Sequence, residues 1–210
     1  VSTPRARTGA VILAAGSASR YGALKQLIAI DGQPMVRHMA RNALAAGLHP
    51  VVVVVGAEGE RVKDCLTNLD VHSVTNVEWA TGMGGSLSTG VKALMSLHAP
   101  LQALMLLLAD QVAVSIDELE SMLAAHATRP ERILTCQHAG NMGPPCIFPL
   151  SYVDDLTAMN GPTGARALLE RHASFVDGID LPSAFRDIDT PDDYAAWQAT
   201  RNERGAGDLG

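Results

Sequence analysis

The stretch Ala10-Val11-Ile12-Leu13-Ala14-Ala15-Gly16-Ser17-Ala18-Ser19-Arg20-Tyr21-Gly22-Ala23-Leu24-Lys25-Gln26-Leu27 decides the fold. It opens on a short apolar run, Ala10–Leu13, which reads as a buried strand. A Gly/Ser-rich loop over Gly16–Leu24 follows. A helix is expected next, because Pro34 stands where helices start and Gly47 where they stop. Between these two, Met35, Val36, Met39, Ala40, Ala43 and Leu44 recur at helical spacing. Strand, glycine loop and helix together make the first unit of an α/β sheet protein.

The same alternation continues outward. Val51–Val55 is a run of five valines, the pattern of a strand buried on both faces. Glu58–Leu66 reads as a helix, Val71–Val74 as a weaker strand and Ser86–Leu97 as a helix. Ala103–Leu108 is a second unbroken apolar run. Ser115, with Glu118 three residues on, predicts a capped helix over Ser115–Ala127. Strand–helix alternation of this kind predicts a mostly parallel sheet with helices on both faces. The second half is less regular. Strands are expected at Ile133–Cys136 and Cys146–Phe148 around a Gly140–Pro145 loop. A helix is expected at Ala165–His172, a strand at Phe175–Gly178 and a last helix at Pro191–Arg201.

Composition narrows the function classes. The chain has 210 residues, 47% of them hydrophobic, which suits one domain over residues 8–200 with a flexible tail at 201–210. The formal net charge of -6 and the lack of a long basic run argue against nucleic acid or an anionic membrane as partner. The three cysteines, Cys65, Cys136 and Cys146, form no CxxC pair. Free thiols in a cytoplasmic setting are the expectation, without a zinc site.

Ligands of open parallel sheets bind beyond the carboxyl ends of the strands. The first loop is the richest such end. Gly16 and Gly22 allow close backbone approach, its N–H groups suit phosphate oxygens, and Arg20 and Lys25 add fixed positive charge. Two other cradles are excluded. GxxxxGK[ST] fails because Ala23 and Leu24 separate Gly22 from Lys25, and GxGxxG fails because residue 18 is Ala. Asp110 ends the Ala103–Leu108 run, where a carboxylate either caps a turn or helps hold Mg2+ on substrate phosphates. The run Asp187–Asp193 is a second acidic cluster. It suits a helix start at Pro191, and one of its carboxylates could complete a metal site. Asn76–Leu87 is a Gly-rich loop running into a helix, suited either to a base or ribose edge or to an ordinary capped turn.

The string Leu13–Leu27 closely resembles the signature of the nucleotidyltransferases that attach a nucleotide to molybdopterin. The likeness continues through Asn76, Gly82–Leu87, the segment ending at Asp110-Gln111, Gly161–Arg166 and Asp187–Asp193, so it spans Thr8 to about Trp197. The resemblance implies a Rossmann-like three-layer α/β fold and transfer of a nucleoside monophosphate from an NTP to a phosphorylated acceptor. It implies nucleotide contacts from Leu13, Ala14, Ala15, Gly16, Gly56, Asn76, Gly82 and Ser86. Arg20 and Lys25 would act on the phosphates, and Mg2+ would sit on Asp110 with Asp189 as candidate second ligand. Lys25, Arg20 and Asp110 form the implied catalytic set. The Leu13-Ala14-Ala15-Gly16 form resembles the CTP-using branch, with the Ala15 methyl taking space beside the base. Molybdopterin is the implied acceptor and a recipient molybdoenzyme a candidate partner. One departure stands out: Pro144 occupies a position where the family commonly has His. Transfer to a sugar phosphate or another small phosphorylated acceptor is the alternative activity. A non-catalytic nucleotide-binding carrier is the alternative outside enzymes.

Overall fold

Every valine of Val51–Val55 is fully buried, beside a first strand that is buried along its whole length. The computed structural model describes residues 7–16, 25–186, 193–197 and 199. The elements in chain order are β1 (Thr8–Ala14), β2 (Ala29–Ile30), β3 (Gln33–Pro34), α1 (Met35–Ala45), β4 (Val51–Val55), α2 (Gly59–Asp64) and β5 (His72–Thr75). There follow α3 (Met83–Ser96), β6 (Ala103–Leu108), α4 (Ile116–His126), β7 (Ile133–His138) and β8 (Asn141–Pro149). The last labelled elements are α5 (Val153–Thr157), α6 (Ala165–Arg171) and β9 (Val176–Asp180). Residues 193–197 are helical, and the remainder of the expected last helix lies largely outside the described residues.

The main sheet has seven strands in the order β5-β4-β1-β6-β8-β7-β9. β5, β4, β1 and β6 are parallel neighbours. β8 is antiparallel to both β6 and β7, and β9 is parallel to β7. Within this sheet, β8 therefore points one way and its six companions the other. This is the expected mostly parallel sheet.

Strand residues alternate between two cores. Ala10, Ile12, Val51, Val53, Met105 and Leu107 pack with Val36 and Met39 of α1, Val62 of α2, and Leu119 and Met122 of α4. Val11, Leu13, Val52, Val54, Leu104 and Leu106 pack with Leu87, Val91 and Leu94 of α3, Leu156 of α5 and Leu168 of α6. Both sheet faces are covered, which is why these strands carry no alternating polar residues. A third small cluster joins Ile30, Met35 and Val112, with Tyr194 and Trp197 packed on it.

Three expectations need correction. The Gly140–Pro145 segment is not a loop. β7 and β8 run on into a tight hairpin whose two turn residues, Ala139 (φ +48°) and Gly140 (φ +81°), are both left-handed. Such two-residue turns match the twist of paired strands. Pro144 and Pro145 are tolerated because the ladder steps from Thr135–Cys146 to Cys136–Gly143. The two prolines sit in that bulge, where no ladder N–H is required. Second, α3 begins at Met83 rather than Ser86, so the Gly-rich run forms its first turn. Third, α2 is shorter than expected and gives way to turns after Asp64. The capped helix is confirmed in detail. Ser115 Oγ accepts from the Glu118 backbone N–H, and the Glu118 carboxylate accepts from Ser115 N–H at 2.8 Å.

Two thiols lie inside the sheet. Cys136 and Cys146 are fully buried, and Thr135 Oγ lies 3.2 Å from Cys146 Sγ. Burial raises both above the ordinary thiol range, Cys146 to about 12.

His126 ends α4 and is 5% exposed. Desolvation holds its pKa below the usual histidine value, against smaller raising contributions from the Arg132 backbone and Glu131. The folded state therefore favours neutral His126, whereas the unfolded chain takes up that proton near pH ~6.5. The associated stability is complete above that pH and is lost as pH falls toward the lowered folded-state value. Urea unfolding of wild type against His126→Gln should show a wild-type stability loss below about pH 6.5 that the variant lacks. Superimposable pH slopes would show that His126 does not contribute.

Candidate active site at the strand ends

Hydrogen-bond register brings four strand ends level. Leu13 pairs with both Val54 and Leu108, and Val55 pairs with both Ala14 and Thr75. Two backbone bonds extend the ladders past the strands: Ala109 N–H donates to Leu13 C=O at 3.1 Å, and Asn76 N–H to Val55 C=O at 2.9 Å. Leu13, Ala14, Ala15, Gly16, Gly56, Asn76 and Asp110 thus share one edge of the sheet. In chain order they are separated by up to nearly half the sequence.

Their contributions differ. Leu13, Ala14 and Ala15 are 8%, 3% and 5% exposed, with side chains in the two cores, so mainly their backbone is left for a ligand. Gly16 is exposed, and its carbonyl accepts from Gln26 Nε2 at 2.5 Å. Gln26 is buried and belongs to the short turn Lys25–Leu27. That bond joins the two ends of the first loop. Arg20 and Asp189 lie outside the described residues.

Gly56 is a close-packing position. A Cβ there would fall 2.5 Å from the Ala15 carbonyl and 2.7 Å from Trp79. Asn76 and Ser86, both expected to face the nucleotide, bond to each other. Asn76 Nδ2 donates to Ser86 Oγ at 3.0 Å, and Asn76 Oδ1 accepts from Glu78 N–H at 3.0 Å. Both residues are more than nine-tenths buried, so they pin the loop after β5 onto the start of α3. Gly82 has φ +133°, and a Cβ on it would overlap the Gly161 carbonyl. Gly84 N–H donates to that carbonyl at 3.0 Å. Two motifs far apart in sequence, Gly82–Leu87 and Gly161–Arg166, therefore meet at the N-terminus of α3.

Asp110 is half-buried in the turn after β6. It stands at the seam where the parallel strands meet antiparallel β8. On one side are Gly16, Gly56 and the α3 start. On the other is the β7–β8 hairpin. There Pro144 lies in the bulge, and His138 Nδ1 lies 3.0 Å from Asp180 Oδ1. Gln111, 3% exposed, donates from Nε2 to the carbonyls of Pro144 (2.6 Å) and Ala184 (2.7 Å). A cleft of about 700 Å³ opens beyond Asp110 on the α1/α4 face, lined in part by His38, Asn42, Ser115, Glu118 and Arg186. Among the described residues, none of those expected to bind the nucleotide lines it.

Sequence reading missed Gln26 and Gln111 as organising residues. Both lie within quoted motifs, but a glutamine gives no signal of which distant carbonyl it will reach. It also missed that the Gly161–Arg166 motif serves as a seat for α3.

The MobA-like NTP transferase domain matches residues 10–175 of the chain. The chain belongs to the MobA-like NTP transferase family. Nicotine blue oxidoreductase of Paenarthrobacter nicotinovorans is 31% identical over 193 residues, covering 86% of this chain and 91% of that protein. The purine catabolism protein PucB of Bacillus subtilis is 28% identical over 196 residues, covering 88% and 92%. The crystal structure of Rv0371c from Mycobacterium tuberculosis superposes with a TM-score of 0.74 at 25% identity, covering 91% of this chain and 97% of that one. The fold is that of a nucleotidyltransferase of the MobA-like family. Among the described residues, no helix is long and apolar enough to cross a membrane.

The crowding at Gly56 gives a direct test. Gly56→Ala should cost about 1–3 kcal/mol, since a backbone carbonyl cannot swing aside as a flexible side chain can. Nucleotide affinity should weaken with it. Urea unfolding and nucleotide titration check both, and wild-type values in the two would remove Gly56 from the site.

Proposed function

We propose that this MobA-like protein transfers CMP from CTP to the terminal phosphate of molybdopterin, releasing pyrophosphate. The observation that carries the reading is the shared edge: the exposed Gly16 turn, the close-packed Gly56 and Asp110 come from separate segments to one seam. The glycine turn and the α3 N-terminus offer N–H groups to phosphate and ribose. Asp110 is a hard oxygen donor, half-buried at a strand end. That suits Mg2+, which is usually held by one or two carboxylates plus substrate phosphates. Asp189 is the proposed second ligand. Bound there, Mg2+ would neutralise charge on the phosphate oxygens.

The chain's own residues have a limited chemical task. The acceptor phosphate oxygen is already anionic near neutral pH, so no protein base has to remove a proton. What opposes reaction is the approach of two anions and charge growing on the leaving pyrophosphate. Positioning and fixed positive charge therefore dominate, with Lys25 and Arg20 offsetting charge on the leaving group. The nucleotide lies over β1, β4 and β5, and the acceptor over the β8–β7 side of Asp110. The preference for CTP over GTP is carried over from the Leu13–Gly16 motif, although the Ala15 methyl packs into the core and leaves mainly its backbone to the base. A recipient molybdoenzyme is the proposed downstream partner.

A second reading takes support from the relative named nicotine blue oxidoreductase: the strand-end edge would hold a redox nucleotide in place of an NTP. The absence of GxGxxG, with Ala at residue 18, weighs against it.

The deciding experiment is a pyrophosphate-release screen of four NTPs against molybdopterin and common sugar phosphates. CTP with molybdopterin should give the highest rate. GTP ahead of CTP would overturn the base preference, and a sugar phosphate ahead of molybdopterin would overturn the acceptor. Oxidation of a reduced nicotinamide dinucleotide with no pyrophosphate from any pair would favour the redox reading. Lys25→Ala should lower turnover by about two to three orders of magnitude with unchanged circular dichroism. Turnover within a few-fold of wild type would show that Lys25 is not part of the chemistry.

A further inference from the structure

The seam at Asp110 is held from one side by an amide that the transfer chemistry does not use. Gln111 follows Asp110 directly and is 3% exposed. Its Nε2 spends both hydrogens on main-chain carbonyls, Pro144 in the β8 bulge at 2.6 Å and Ala184 in the turn after β9 at 2.7 Å. These partners lie 33 and 73 residues further along the chain. Its Oε1 is buried and has no hydrogen-bond partner among the described residues. A buried acceptor left unsatisfied is unfavourable, and each such group calls for an explanation. An apolar side chain of similar volume would avoid that cost. The amide is intelligible if its donor end does something a packed methionine could not.

What it does is geometric. Pro144 and Pro145 interrupt the β7–β8 ladder, so the ladder does not hold the bulge. The Ala184 turn runs over the same part of the edge, and Ser183 Oγ ties it to Glu118 Oε1 at 2.8 Å. Gln111 is the described side chain that bonds the bulge and this turn to the residue beside Asp110. We propose that Gln111 is a positioning residue, fixing the acceptor-side wall of the cleft relative to Asp110 and leaving the nucleotide side untouched. The proposal rests on the transfer reading given above. It predicts a split: nucleotide binding survives loss of the amide, and productive alignment of the acceptor does not.

The test is Gln111→Met, which keeps side-chain length and removes both the donor and the stranded acceptor. Ser88→Ala serves as control. It deletes a comparable bond, from Ser88 Oγ to the Thr157 carbonyl, on the α3/α5 face. Hydrogen–deuterium exchange, thermal melting, CTP affinity by titration and pyrophosphate release with CTP and molybdopterin are measured for all three proteins. For Gln111→Met the expected result is faster exchange around residues 144 and 182–186 and CTP affinity within about twofold of wild type. Turnover, or kcat/KM for molybdopterin, should fall tenfold or more. The control should melt lower without that split. CTP affinity and turnover falling together in Gln111→Met, as in the control, would reduce Gln111 to a structural residue and overturn the proposal. So would unchanged exchange and turnover. Wild-type protein that binds no CTP and releases no pyrophosphate would bring down the transfer reading and this assignment together. Active wild type with an equally active Gln111→Met would bring down this assignment alone.

Discussion

The double pairing of β1 is the constraint on which the rest of the molecule depends. Leu13 is hydrogen-bonded in register with Val54 on one side and Leu108 on the other, so the neighbouring strands cannot slip without breaking two ladders. Slippage by one residue would also exchange the two core faces and carry buried side chains into the wrong layer. Because both faces are apolar and covered, the penalty falls on several large side chains at once. Register therefore decides more than packing. It brings a glycine turn, a close-packed glycine, an amide and a carboxylate to the same height, although nearly half the chain separates the first from the last.

The change of direction at β8 divides that edge into two halves. On the parallel half, successive strand ends give short turns and the N-terminus of α3, which suits a phosphate-bearing ligand. On the other half the chain returns through a hairpin and a proline bulge, and the wall is built from β7, β8 and the turn after β9. Asp110 stands between the two. A reaction joining two phosphorylated molecules needs such an arrangement, with one partner on each side and a shared carboxylate at the boundary. Membership of the MobA-like family shows a nucleotidyltransferase, while the names of its relatives range from a purine catabolism protein to an oxidoreductase. The family thus fixes the scaffold and the class of reaction more firmly than the acceptor.

Much of the fold was legible in the sequence, and the reasons are local. Val51–Val55 and Ala103–Leu108 are unbroken runs, so their strand boundaries were read correctly. The capping box at Ser115 is a four-residue signal that needs no tertiary information. The hairpin was not legible. Ala139 stands where Asn or Asp would have announced the turn, and two prolines disguise a strand as a loop. Met83–Gly85 was read as loop because glycine is a poor helix former. Its helical state depends on contacts with residues 160–164, which only the folded chain supplies. At the site, the motif residues were found but not their relations. Asn76 and Ser86 were named separately and turn out to bind each other. Gln111 lay inside a quoted motif without a role, because its partners are 33 and 73 residues away.

The two sulfur atoms embedded in β7 and β8 have a practical consequence. A thiol reacts with peroxides, alkylating agents or other disulfides as its thiolate, and only where a reagent can reach it. Cys136 and Cys146 are closed to solvent and held well above the ordinary range, so at neutral pH they present almost no nucleophile. Cys65, at the end of α2, is partly accessible, and its carbonyl accepts from Arg37 of α1 at 2.8 Å. Chemical labelling with a maleimide probe would accordingly mark the molecule at Cys65. That makes the native chain suitable for attaching a fluorophore without first removing its cysteines.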